Sequence, residues 1–84
     1  MKYKLIGIRP THDDMFKMVG KPLYRINNDS VEKVYITDIR IGKNYKWEFV
    51  FTGEETFKEN EPLFISIKSV KRYLKKKGIN ILGY

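Results

Sequence analysis

Residues 31–41 place Val34 and Ile36 on one face of an extended chain and Ile39 and Ile41 on the other, with Thr37 and Asp38 between them. Side chains of a straight strand alternate with a period of two, so this slip of phase predicts a bulge or sharp bend near Thr37-Asp38. A bent strand favours a curled sheet over a flat one. In a chain of 84 residues, curling a sheet on itself is an economical way to bury one face and remove exposed edges.

The turns around that segment fit the same plan. Asn27, Asn28, Asp29 and Ser30 favour turns through their own side-chain hydrogen bonds, and they join a strand at residues 23–26 to the one that starts at Val31. Gly42, Lys43 and Asn44 form a three-residue turn into the clearest strand of the chain, where Tyr45, Trp47, Phe49 and Phe51 alternate with Lys46, Glu48 and Val50. After a turn at residues 52–55, short strands are expected at residues 56–58 and 63–65. A first strand at residues 3–8 and a last one at residues 79–84 would close against each other. Pro10, Pro22 and Pro62 fall at boundaries between these elements.

Thr11, His12, Asp13 and Asp14 ahead of Met15 read as a capped single turn of helix that ends at Gly20. Ser66 is placed to cap a second helix over residues 67–77, with Gly78 as its left-handed terminator. At 100° per residue, Ile67, Val70, Tyr73 and Leu74 share one side of that helix. Lys68, Lys71, Arg72, Lys75 and Lys76 fill an arc of about 140° on the other. The expected fold is therefore mainly β within the α+β class: one domain over residues 1–84, a small antiparallel barrel with a short N-terminal helical turn and a C-terminal amphipathic helix. Its expected core holds Val34, Ile36, Phe49, Phe51, Ile65, Val70 and Leu74.

The run Val19-Gly20-Lys21-Pro22-Leu23-Tyr24-Arg25-Ile26, then Val31-Glu32-Lys33-Val34-Tyr35-Ile36, then Leu63-Phe64-Ile65-Ser66 leading into an amphipathic helix, resembles small SH3-like barrel proteins encoded by phages and mobile elements of low-GC Gram-positive bacteria. The resemblance covers residues 19–77 and rests on apolar and turn placement. It implies an SH3-like barrel and a phage or mobile-element setting. The helix departs from the family pattern in carrying no acidic residue. The absence of Ala and Gln beside 13 Lys, 10 Ile and 5 Asn agrees with an AT-rich genome.

Composition excludes several classes. With 42% hydrophobic residues and 32% charged residues of both signs, the chain can offset its ordering entropy by burial. It has no Cys and one His, so neither a disulfide framework nor a thiolate or histidine metal cluster is expected, and no cofactor is called for. No apolar run approaches the roughly 18 residues of a membrane span. Lys2 and Lys4 resemble the start of a signal peptide, but Arg9-Pro10 interrupts the apolar stretch after them. The expected location is the cytoplasm, without membrane attachment.

Charge is segregated along the chain: residues 1–26 carry +4, residues 27–61 carry −3 and residues 62–84 carry +6. The six cations Lys68, Lys71, Arg72, Lys75, Lys76 and Lys77 follow one another with no carboxylate between, a pattern suited to a line of phosphates. The competing reading is a solvated helix face favoured by the helix dipole. Glu54, Glu55, Glu59 and Glu61 form an acidic stretch that would present carboxylates to a basic partner or serve only as a solvated loop. Tyr45 and Trp47 are candidate surface aromatics, whereas Phe49 and Phe51 are assigned to the core.

His12-Asp13-Asp14 is better read as a helix cap than as an acid–base or metal site, because adjacent residues in a cap point in different directions. Ser66 and Ser69 lack the base and oxyanion loop that a nucleophile needs. A non-enzyme is expected, a binding module attached stoichiometrically to a host protein and acting as an inhibitor of a nucleic-acid-processing system. The alternative is a weakly sequence-selective DNA- or RNA-binding barrel that uses the basic helix. Tyr45, Trp47 and Tyr84 are the candidate apolar anchors for a protein partner.

Overall fold

The computed structural model describes residues 3–81, in which five strands form a curled half-barrel sheet accompanied by two helices. The strands are β1 (Tyr3–Ile6), β2 (Pro22–Asn27), β3 (Ser30–Ile41), β4 (Trp47–Phe51) and β5 (Glu61–Phe64), and the helices are α1 (His12–Met18) and α2 (Ile67–Lys77). The order across the sheet is β1-β5-β2-β3-β4. β2 pairs antiparallel with both β3 and β5, and β3 pairs antiparallel with β4, whereas β1 runs parallel to β5.

The bend expected in β3 is present. Its register against β4 shifts between Ile36, opposite Phe51, and Asp38, opposite Val50. The Thr37 hydroxyl donates to the Val50 carbonyl at 3.1 Å, and the Asp38 carboxylate accepts from the Ile39 N–H at 2.8 Å, so polar groups freed by the bulge find local partners. Past the bulge, Ile39 lies opposite Phe49 and Ile41 opposite Trp47, back on the face that Val34 and Ile36 occupy. The bulge thus reconciles a slipped apolar pattern with a single inner face.

That inner face holds Tyr3, Leu23, Val34, Ile36, Phe49, Phe51 and Leu63, with Met15 of α1 packed among them. Ile36, Phe49 and Leu63 are wholly buried, each contributing about 1.5–3 kcal/mol of transfer free energy. A second, smaller cluster lies on the outer face, where Val70 and Leu74 of α2 pack with Phe64, Ile81 and the partly buried Ile6, Tyr24, Ile26, Val31 and Tyr73. Alternation explains the division: Leu63 points in while Phe64 points out, so β5 is covered on both sides.

β1 and β4 are the outermost strands, and a side chain spans the seam between them. The Tyr3 hydroxyl accepts a hydrogen bond from the Phe49 N–H at 2.8 Å, occupying an amide that no strand covers. Its ring packs edge-on against Phe51. Burial, foremost, holds the Tyr3 phenol above its ordinary pKa, and the nearby Glu48 and Glu54 charges add to this.

Several expectations are corrected. Ile65 follows β5 and is 45% exposed, so it does not belong to the core. Residues 56–58 do not form a strand: residues 54–56 make a 3-10 turn that leads into extended chain. β4 begins at Trp47, because Lys43–Tyr45 is a 3-10 turn and Tyr45 has a left-handed φ of 58°. β1 ends at Ile6 and finds its neighbour in β5, while residues 79–81 are not strand. The remainder of the expected last strand, including Tyr84, lies outside the described residues. Among the described residues, no helix is long and apolar enough to cross a membrane.

Candidate interaction surfaces

α2 occupies the expected residues and is held at both ends. The Ser66 hydroxyl accepts from the Ser69 N–H at 3.2 Å, and Gly78, at φ 69°, turns its N–H back to the Leu74 and Lys75 carbonyls. Burial of Val70 and Leu74 against Phe64 fixes which way the helix faces. Lys68, Lys71, Arg72, Lys75 and Lys76 are consequently presented to solvent, and all five are exposed. Among the described residues none of them makes an ion pair. Lys77 is also exposed but leaves the arc: its ammonium lies 5.9 Å from the Tyr73 ring centroid. Lys75, Lys76 and Lys77 occupy the last turn, where the helix dipole favours positive charge.

The acidic stretch does not assemble into a surface. Glu61 lies on β5, 3% exposed, with its Oε1 2.6 Å from the Arg25 guanidinium. Arg25 is itself 5% exposed; it also donates to the Thr56 hydroxyl at 2.8 Å and sits 5.0 Å from the Phe57 ring centroid. Glu54 is tied to Arg40 at 3.3 Å, and Arg40 is bound in turn to Glu48 at 2.7 Å. The Glu48 hydrogen bond, followed by the Glu54 charge, holds the Arg40 guanidinium still more firmly protonated. Glu55 and Glu59 remain exposed. The apolar neighbours of Glu61 hid its role: a carboxylate alternating with Leu63 on an inward-facing row needs a buried cation, and Arg25, alternating with Leu23, is that cation.

Arg40, Glu48 and Glu54, with Tyr3, Lys43, Asn44, Lys46 and Glu59, line a cleft of about 620 Å³ beside the seam. Within it Arg40, Glu48 and Glu54 are committed to one another. Glu54 Oε1 is buried and has no hydrogen-bond partner among the described residues.

The two candidate aromatics separate. Tyr45 projects from the turn at 91% exposure, whereas Trp47 is 39% exposed and packed against α1. The His12 ring lies 4.6 Å from Trp47 and 4.8 Å from Phe16, and the Phe16 and Trp47 rings are 6.2 Å apart. His12 and Phe16, four residues apart, fall on one face of α1 beside the buried Met15, a spacing that marks the cluster in the sequence. Phe16 is 54% exposed and Ile41, opposite Trp47, is 57% exposed, so an apolar patch continues the inner face past the end of the core.

The residues around His12 cap α1. The Asp14 N–H donates to the Thr11 hydroxyl at 3.2 Å, and the Thr11 N–H donates to the Asp14 carboxylate at 3.3 Å. Hydrogen bonding from Thr11, side chain first and then backbone, holds the Asp14 carboxyl below its usual range. Among the described residues no group of three or more His, Asp or Glu side chains gathers as a metal site would.

No family model, no curated protein and no solved structure matches this chain.

Proposed function

We propose that the chain is a non-catalytic binding module that attaches to DNA or RNA through the outer arc of α2. The observation that carries this reading is the set of five exposed cations on one side of a helix whose other side is locked onto β5. No carboxylate on α2 divides their field, and a rigid rod of ammonium and guanidinium groups suits a phosphate backbone without reading base sequence. The expected attachment is weak and tolerant of sequence.

With about four cations at phosphates, the logarithm of the binding constant should fall with the logarithm of salt concentration at a slope of about −3 to −4. Fluorescence anisotropy with a labelled oligonucleotide measures it. The triple variant Lys71→Glu, Arg72→Glu, Lys75→Glu should abolish binding while keeping the wild-type melting temperature. Undiminished binding by that folded variant refutes the reading.

A second reading is favoured by the exposed cluster of His12, Phe16, Ile41 and Trp47. In it the protein, with an SH3-like fold and a phage or mobile-element origin, attaches stoichiometrically to a host protein in the cytoplasm and inhibits a nucleic-acid-processing system. The loss of Glu54 and Glu61 to internal pairs removes the acidic surface from that reading. The apolar patch takes its place as the anchor.

A further inference from the structure

α2 covers only part of the outer face of the sheet. Its cluster takes in Ile6, Phe64, Tyr24, Ile26 and Val31, while Lys33, opposite Tyr24, and Tyr35, opposite Pro22, stay exposed on the same face of β3. Alternation sends both carboxylates of this part of the sheet, Glu32 and Glu61, to the other side. Among the described residues, the outer positions of β1, β5, β2 and β3 as far as Tyr35 therefore carry two charges, Lys4 and Lys33, and neither makes an ion pair. The face turns acidic only past the bulge, where Asp38 accepts from the Ile39 N–H and Glu48 holds Arg40. The Tyr35 ring, 45% exposed, rises from clamped backbone: its N–H donates to the Thr52 hydroxyl at 3.1 Å, and its carbonyl accepts from the Thr52 N–H at 3.0 Å.

We propose that the cationic arc of α2 and this uncovered strip of β3 form one surface for an unpaired strand of nucleic acid, with phosphates at the helix and Lys33 and a base stacked on Tyr35. The inference rests on the nucleic-acid reading of α2 and names the strand state that the site selects. The arc points away from the sheet, as do Lys33 and Tyr35, so cations and ring share one side of the molecule. Two residues of strand, about 7 Å, separate Lys33 from Tyr35. Aromatic side chains stack bases whatever their identity, and an unpaired strand has base faces free to accept one. A duplex keeps its bases stacked on each other and would use the cations alone. A lipid surface is a poor occupant, because Val70 and Leu74, the apolar side of α2 that would enter it, are closed on Phe64.

Fluorescence anisotropy at matched salt, with labelled oligothymidylate of about 12 nucleotides and a labelled duplex of the same length, tests this. The strand should bind about fivefold tighter than the duplex or better, as one stacked base supplies. Tyr35→Val, which keeps a strand-forming residue, should remove that margin without altering the salt slope or the duplex affinity, and Tyr35→Phe should retain it. Lys33→Ala should make the salt slope for the strand shallower by about 0.7, the share of one phosphate contact. Both positions are exposed, so all three variants should keep the wild-type melting temperature. A duplex bound as tightly as the strand, or a strand indifferent to Tyr35→Val, overturns the inference. Loss of that binding in the Lys71→Glu, Arg72→Glu, Lys75→Glu variant then shows that the reading of α2 outlives it. Binding of neither probe, or attachment to phosphatidylserine vesicles alone, overturns both.

Discussion

Replacing Arg25 by Met should be among the most damaging single changes in this chain. The guanidinium is 5% exposed and the Glu61 carboxylate it holds at 2.6 Å is 3% exposed, so removing the cation strands a carboxylate where water cannot reach it. Breaking one side of a buried pair costs about 3–5 kcal/mol. A domain of 84 residues has only roughly 4–13 kcal/mol of stability to lose. Thr56 is not orphaned as well, since its hydroxyl keeps a 2.7 Å bond to the Gly53 carbonyl, and the cost therefore falls mainly on Glu61. The double replacement Arg25→Met with Glu61→Met removes both charges and should recover to within about 1 kcal/mol of wild type, because well-packed apolar substitutes for a buried pair are often neutral or better. Urea unfolding followed by Trp47 fluorescence gives both values, and the single variant should also melt at least about 12 °C lower. A single-variant cost below about 1 kcal/mol, or a double variant no more stable than the single one, would show that the pair does not hold β2 to β5 as argued.

Phe49→Ala empties a wholly buried site on the inner face and should cost about 3–5 kcal/mol in the same assay; a cost under 1 kcal/mol would remove Phe49 from the core. Tyr3 gives a pH signature: its folded pKa lies above that of the unfolded chain, so its contribution is fully present below about pH 10 and is lost as pH rises from there towards the folded value. Tyr3→Phe should remove that part of the alkaline destabilisation while costing about 1–3 kcal/mol at neutral pH, since the Phe49 N–H loses its acceptor; an unchanged alkaline slope in urea titrations would exclude Tyr3 as its source. Ser66→Ala takes away the α2 cap and should lower stability by about 1 kcal/mol, and amide exchange at Ser69 should accelerate with it.

Features governed by local chemistry could be read from the sequence. Ser66, Gly78 and the 3.6-residue spacing of Val70 and Leu74 define α2 without reference to the rest of the chain, and the slipped phase around Thr37 marks the bulge in the same way. What escaped depends on distant neighbours. Leu63-Phe64-Ile65 is a continuous apolar run, and only the chain's departure from the sheet after Phe64 decides that Ile65 meets solvent. Pro62 reads as a boundary, yet it sits inside β5, where β2 joins only at Leu63 and Phe64 and so leaves the proline paired on one side alone. Glu61 looks like one more solvated carboxylate until Arg25 is brought to it from 36 residues away. The cationic arc of α2 was fully visible in the sequence, whereas the aromatic patch was half visible: Trp47 showed by its place at a strand end, Ile41 joins it through the β3–β4 register, and His12 and Phe16, though spaced for one helix face, reach it through packing of α1 on that ribbon.

β5 is walled on both sides, by the inner core at Leu63 and by α2 at Phe64. The helix that carries the cationic arc is therefore also the lid over Phe64, Tyr24 and Ile26. A chain cut short at residue 65 would keep its inner core but offer those side chains to solvent as an adhesive face that favours self-association. Charge on the outer arc of α2 is free to vary because it touches nothing beneath, whereas Val70 and Leu74 are not free. Changes in the charge of this helix can thus accumulate without disturbing how the chain folds, so long as the two buried side chains stay apolar.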